Sequence, residues 1–328
     1  MKILVNEIKQ INLEIDGRCN LKCPMCLHSI REKDFLVKLP LKEFYNIIDQ
    51  AIPFGLKYVN IGGSGEPLLH RGLEKVVAYL TKNNITSMIY TNGTLLTPNR
   101  FKRLCQAGLS IFKVSCQGWD RESYAKWMSV DSFDRVRSNL QLCLEILRNN
   151  SYPSKLQTNH IIQDYGQCEY QKDMYIKNWI KYLSVKGEIW LAHNWAGLYN
   201  NNKIRRDIVC KGRTRRTCGR AMGKIIEIRA GGLKGKKGAV VPCPNVLGQD
   251  SKAVMGHTQD TPLIKIINNK KMLHWRDVHF RETFDEIDYC KNCDQLFDIP
   301  EALVWTNIKS RVYGQSCISG INYVNSEK

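Results

Sequence analysis

Over the first 195 residues, short apolar strand-like runs alternate with helical patterns, and this alternation limits the fold more than any other feature of the chain. The runs are Ile11–Ile15, Lys57–Ile61, Ile85–Tyr90, Ile111–Cys116, Leu156–Ile162 and Glu188–Ala192. Between them apolar residues recur three and four apart, as in Phe44, Ile47, Ile48, Ala51, Ile52 and in Phe133, Val136, Leu140, Cys143, Leu144, Leu147. Thr97-Pro98 reads as a helix start, a capping hydroxyl followed by proline at the first helical position. Such repeats argue for a parallel sheet with covering helices. Length and strand count suit an incomplete barrel or a doubly wound sheet, and periodicity does not separate the two.

A chain of 328 residues has room for about two domains. With 43% apolar and 24% charged residues it can bury a sizeable core. No stretch approaches the roughly 18 consecutive apolar residues of a membrane span. The opening MKILVNEIKQ lacks a signal-peptide run, so a cytoplasmic location is expected, with no membrane partner. That placement gives the 13 cysteines their meaning: in a reducing compartment clustered thiols bind metal or do redox chemistry more often than they pair.

Cys19-Asn20-Leu21-Lys22-Cys23-Pro24-Met25-Cys26 follows the first strand. Three thiolates from one short loop can hold three irons of a 4Fe–4S cube and leave the fourth open to a ligand. A four-ligand site completed elsewhere is the other reading of that spacing. Set after a strand, CNLKCPMC resembles the signature of radical S-adenosylmethionine (SAM) enzymes, and further motifs of that family follow in order. Gly62-Gly63-Ser64-Gly65-Glu66-Pro67 resembles the GGE motif at SAM's amino group, with Glu66 matched to an ammonium. Thr91-Asn92-Gly93, and Val114-Ser115-Cys116-Gln117-Gly118 with Tyr124, resemble two more.

The resemblance implies an α/β fold, a partial (β/α)6 TIM-like barrel over residues 1–197, with Cys19, Cys23 and Cys26 holding a SAM-binding 4Fe–4S cluster. It places SAM contacts at Gly63, Ser64, Gly65, Glu66, Asn92, Ser115 and Gln117. Gln117 stands where an aspartate is common and Met128 where an arginine is, so Lys126 becomes the nearest candidate for SAM's carboxylate.

Cys218, Cys243, Cys290 and Cys293 can together close an all-cysteine site, for a cluster or for structural zinc. Their layout resembles the twitch module, a shortened SPASM domain with one auxiliary 4Fe–4S cluster, expected over 218–300. Cys210 is the alternative to Cys218. Cys105 and Cys143 read as core, Cys116 as pointing away from the face of Ser115 and Gln117, and Cys168 and Cys317 stay unassigned. The barrel-mouth candidates for a substrate pocket are Asn159 or His160, depending on which set of the fifth strand faces inward, and His193 and Trp195 of an NWAG turn.

Residues 203–237 carry 13 Lys or Arg against two acids, within a net charge of +18, and read as a loop-rich hinge, with a basic linker expected over 198–217. A solvated face, a phosphorylated or nucleotide-linked substrate, and an acidic flavodoxin or ferredoxin reductant are its open readings. No aromatic-interleaved RNA-binding motif accompanies it. Residues 262–279 read as helical and 301–328 as a C-terminal tail.

The twitch layout is similar to that of 2-deoxy-scyllo-inosamine dehydrogenase-type members, which implies oxidation of an alcohol on a sugar, aminocyclitol or nucleotide-sugar. Peptide maturation or epimerisation is the second reading, and a non-catalytic iron–sulfur or zinc RNA-binding protein the third.

Overall fold

Six strands follow in chain order: β1 (Gln10–Leu13), β2 (Tyr58–Ile61), β3 (Thr86–Thr91), β4 (Ile111–Ser115), β5 (Lys155–Ile162) and β6 (Lys186–Leu191). In this computed structural model, which describes residues 4–204, 206–246, 251–297 and 299–309, each pairs parallel with the next. The strands end within two residues of the expected runs. The crossovers carry the expected helices α1 (Leu41–Ala51), α2 (Leu73–Lys82) and α3 (Pro98–Gln106), then α4 (Arg121–Met128), α5 (Phe133–Asn149) and α6 (Cys168–Tyr175). Helix α4 escaped the periodicity because Tyr124 and Met128 are its only buried apolar residues. A capping box starts it instead: the Asp120 side chain accepts from Ser123 N–H, while Ser123 Oγ accepts from Asp120 N–H.

Strand alternation divides the sheet chemically. Ile11, Leu13, Val59, Ile61, Ile89, Phe112 and Val114 are fully buried on the face covered by helices. The alternate residues Gln10, Asn12, Asn60, Tyr90, Ser115, Asn159 and Glu188 face a cavity inside the curved sheet. Apolar burial on the outer side, worth about 1.5–3 kcal/mol per large side chain, therefore leaves a polar interior available for function.

Two expectations about boundaries are corrected. The hinge reading of 203–237 conceals β7 (Ile225–Arg229), which pairs parallel with β1 in the register Asn12↔Glu227. Its alternating Ile-Ile-Glu-Ile-Arg is strand-like, but the basic residues around it dominate the composition. β8 (Ala239–Val241) and β9 (Gly256–His257) continue antiparallel from it, so barrel and second domain share one ten-stranded sheet. Within the expected tail, β10 (Leu303–Thr306) pairs antiparallel with β6, burying Leu303. Cys317 lies outside the described residues.

The helical stretch near 262–279 is two helices, Leu263–Ile267 and Lys270–Arg281. The break falls at Asn268-Asn269, where Asn269 Oδ1 caps the second helix by accepting Met272 N–H at 3.0 Å. Among the described residues no helix is long and apolar enough to cross a membrane.

Candidate active site and cysteine loops

The Cys19–Cys26 loop leaves β1 and is laced to the turn after β3. Asn92 Nδ2 donates to Asn20 Oδ1 at 3.0 Å and approaches Cys19 Sγ at 3.8 Å, and Asn20 Nδ2 donates to Thr94 Oγ1 at 2.8 Å. Glycine is required at 65: a Cβ there would stand 1.9 Å from Asp16 O, and Glu66 N–H reaches Arg18 O at 2.8 Å. Burial pushes the thiols of Cys19 and Cys26 up, and that of Cys23 to about 12.

Glu66 takes a position the motif did not suggest. It is buried, and its carboxylate accepts from Leu68 N–H at 2.9 Å, Thr91 Oγ at 2.7 Å and Asn92 N–H at 2.8 Å. It thus pins the turn that holds Asn92, and burial pushes it up to about 7. The cavity wall in this motif is instead Gly62, Gly63 and Ser64. Behind them Glu14, unnoticed in the sequence, accepts from Arg31 Nη1 and Nη2 at 2.9 Å each and from Ser64 N–H at 3.1 Å. Arg229 of β7 lies 4.0 Å away on the other side. Arg31 and Arg229 overcome the penalty of burial and hold Glu14 below the usual carboxylate range.

The cavity of about 350 Å³ sits at the low end for small-molecule sites. One wall is a ladder across three strands: Asn60 Nδ2 donates to Asn12 Oδ1 at 2.9 Å, and Asn12 Nδ2 to Glu227 Oε1 at 2.7 Å. Arg220 Nη1 donates to the same Glu227 oxygen at 3.0 Å. Opposite lie Ser115, Asn159, Glu188, His193 and Trp195 beside the apolar Met88, Ile161, Trp190 and Leu191, with the Glu188 carboxylate ion-paired to the buried Lys113.

Three expected site residues are not among those that line the cavity. His160 is on the helix-facing side of β5, stacked 4.8 Å from Tyr175, and burial takes its imidazole down to about 3. Lys126 is exposed, its Nζ 5.3 Å from the Trp127 ring, and does not line the cavity. Gln117 uses its side-chain oxygen to accept Ile161 N–H at 2.8 Å.

Cys218, Cys243, Cys290 and Cys293 are brought close enough to raise one another's pKa, after burial as the main cause. Burial takes Cys243 up to about 12 and Cys293 to about 11. Cys210 packs instead beside Val209, Trp190 and Leu303. The NWAG turn joins this site to the cavity: Asn194 N–H donates to Asp294 Oδ2 at 2.9 Å and Asn194 Nδ2 to Asn292 O at 2.6 Å. Trp195, Ala196 and Gly197 all have positive φ, at 48°, 57° and 85°, a strained turn that puts Trp195 on the cavity wall.

The donor sets fit iron–sulfur clusters. No cysteine among the described residues is disulfide-bonded, and the thiols in both sets resist ionising without a cation. Beside Cys290 the buried Trp275 Nε1 finds no acceptor in bonding geometry.

Residues 13–156 match the Radical SAM superfamily, and residues 235–294 match the SPASM iron–sulfur cluster-binding domain. The chain therefore carries a radical SAM domain followed by a SPASM-type iron–sulfur domain, and these two domains imply 4Fe–4S clusters and SAM as its cofactors.

Among particular relatives, it is 26% identical over 140 residues to a probable GTP 3′,8-cyclase of Methanococcus maripaludis, covering 43% of this chain and 47% of that one. The chain thus spans about half the length of that relative. In structure it resembles BtrN in complex with AdoMet and 2-DOIA, with TM-score 0.58, 19% identity and coverage of 90% and 94%. It also resembles Streptococcus suis SuiB bound to precursor peptide SuiA, with TM-score 0.62, 16% identity and coverage of 89% and 71%.

The basic segment is less open than its composition implied. Lys203, Arg213, Arg215, Arg220, Lys224, Arg229 and Lys236 each lie within 4.0 Å of an acid from another part of the chain or from β7 itself.

Proposed function

We propose that this chain is a radical SAM enzyme that removes hydrogen from a C–H bond of a small hydroxylated molecule (a sugar, aminocyclitol or nucleotide-sugar) and oxidises its alcohol to a carbonyl. When bound, the first cluster and SAM supply a 5′-deoxyadenosyl radical through one-electron reductive cleavage. Cys19, Cys23 and Cys26 hold that cluster. Gly63 and Ser64 offer backbone to SAM's methionyl end, and Asn92, Ser115 and Gln117 stand nearby for its polar groups. Cys218, Cys243, Cys290 and Cys293 would hold one auxiliary 4Fe–4S cluster, which would take the second electron of the oxidation while the hydroxyl proton leaves to a base or solvent.

The observation that carries this reading is the ladder Asn60–Asn12–Glu227 with Arg220, because it turns a small cavity into a wall of fixed acceptors and donors. Such a wall suits a compact substrate bearing several hydroxyl or amino groups. Its outermost strand, β7, leads through β8 to Cys243, so the substrate would sit between the two cysteine loops. The net charge of +18 suits an acidic flavodoxin or ferredoxin as electron donor. The barrel of residues 1–197 and the domain of 218–300 act as one unit through their shared sheet.

Dithionite with SAM should release 5′-deoxyadenosine, and the Cys19, Cys23, Cys26→Ala triple variant should release none above background. A triple variant that cleaves SAM as well as wild type refutes the first assignment. With aminocyclitol and sugar substrates, a carbonyl product supports the oxidation; solvent deuterium fixed at carbon, with no carbonyl, refutes it in favour of epimerisation.

A further inference from the structure

His279, on the helix Lys270–Arg281, is 1% exposed and walled by the rings of Trp275 and Phe284 at 5.4 and 5.3 Å. Both ring nitrogens are nevertheless engaged. Nε2 lies 3.5 Å from Cys290 Sγ, and Nδ1 lies 3.1 Å from Thr217 Oγ1. Thr217 Oγ1 in turn accepts Gly219 N–H at 3.3 Å.

The direction of the protons follows from the donor inventory. A metal-bound thiolate has no proton, so Cys290 Sγ can only accept, and Nε2 must carry the ring hydrogen. Nδ1 is then a bare lone pair, and the Thr217 hydroxyl is placed to donate to it. The hydroxyl oxygen keeps its lone pair for Gly219 N–H. A one-way chain results, Gly219 to Thr217 to His279 to Cys290, with every donor matched. It starts on the residues flanking Cys218 and ends on Cys290, so it braces two segments that meet only in the folded protein.

We infer that His279 is a positioning residue for the auxiliary cluster, donating from Nε2 to Cys290 Sγ and holding the cluster at a higher reduction potential than the bare thiolate set would. The inference rests on the proposed ligation by Cys290. Its physical basis is that hydrogen bonds to ligand sulfur drain charge from the metal and ease its reduction.

Potentiometric titration followed by electron paramagnetic resonance on the reconstituted full chain tests it, the auxiliary signal being the one SAM leaves unchanged. His279→Phe should keep its iron and shift the reduction equilibrium about tenfold toward the oxidised form, about 59 mV for one electron. His279→Gln, which retains an N–H near that position, should recover part of the shift. Thr217→Val removes only the hydroxyl that fixes the ring and should move the potential the same way by less. If His279→Phe cannot hold iron, Thr217→Val decides alone. Full iron with wild-type potential in these variants overturns the inference while leaving the ligands intact. Iron that does not fall in Cys290→Ala removes the ligand itself, and the inference with it.

Discussion

Cys19, Cys23 and Cys26 come from one short loop, whereas Cys218, Cys243, Cys290 and Cys293 arrive from three separate segments. The first set is braced from nearby: Asn92 and Asn20 tie it to the turn after β3, and Gly65 lets the next loop touch its backbone. The second set is assembled by long-range contacts, with Asn194 gripping the chain on both sides of Cys293 and His279 reaching Cys290. A local site survives changes far away in sequence; an assembled site depends on each of its suppliers.

The largest effect should come from removing one supplied ligand. Cys290→Ala should lose about four of the roughly eight irons that two cubes contain, yet still release 5′-deoxyadenosine with dithionite and SAM. Iron analysis and product chromatography check both halves. Loss of SAM cleavage in that variant would break the contrast, because the first loop would then depend on the second site.

The same contrast explains what could be read in advance. Strand and helix order was legible because each element buries its own apolar stripe, and the Cys19–Cys26 spacing was legible because its geometry is local. The inward set of β5 was not, since Asn159 and His160 differ only in parity until the register with β4 and β6 is known. Glu14, Glu227 and Arg229 went unnoticed as single charges inside apolar runs, although a charge in a strand that is buried on one side is itself a signal. Cys218 could not be separated from Cys210 by spacing, because eight residues of loop can place either at the site. His279 had no sequence signal; only the fold brings it to Cys290.

The next effect asks how independent the local site is. Glu14 lies between Arg31, which follows the cysteine loop, and Arg229 of β7, so it joins the first site to the second domain. Arg31→Met leaves a buried carboxylate without its bidentate partner and should cost about 3–5 kcal/mol at pH 7, measured by urea unfolding of the reconstituted protein. Glu14 has a folded pKa below its ordinary 4.5, so its contribution is fully present above 4.5 and disappears as pH falls through the lower folded value. Weakening this charge cluster should also lower the retention of auxiliary iron; unchanged retention would show that β7 is held by its backbone pairing alone.

The smallest effect separates two buried carboxylates flanking one loop. Glu66, pushed up to about 7 by burial, behaves oppositely to Glu14. Between 4.5 and about 7 the folded protein holds a proton there that the unfolded chain has released, so this group's contribution to stability declines as pH rises across that window. Glu66→Gln offers one acceptor oxygen where three donors converge and should cost about 1–3 kcal/mol near pH 5. Because glutamine does not titrate, the deficit should narrow toward pH 7 as the wild type loses its advantage. Unfolding measured at several pH values decides this: a deficit that stays constant would assign the wild-type slope to another group and leave Glu66 as a neutral brace for the Asn92 turn.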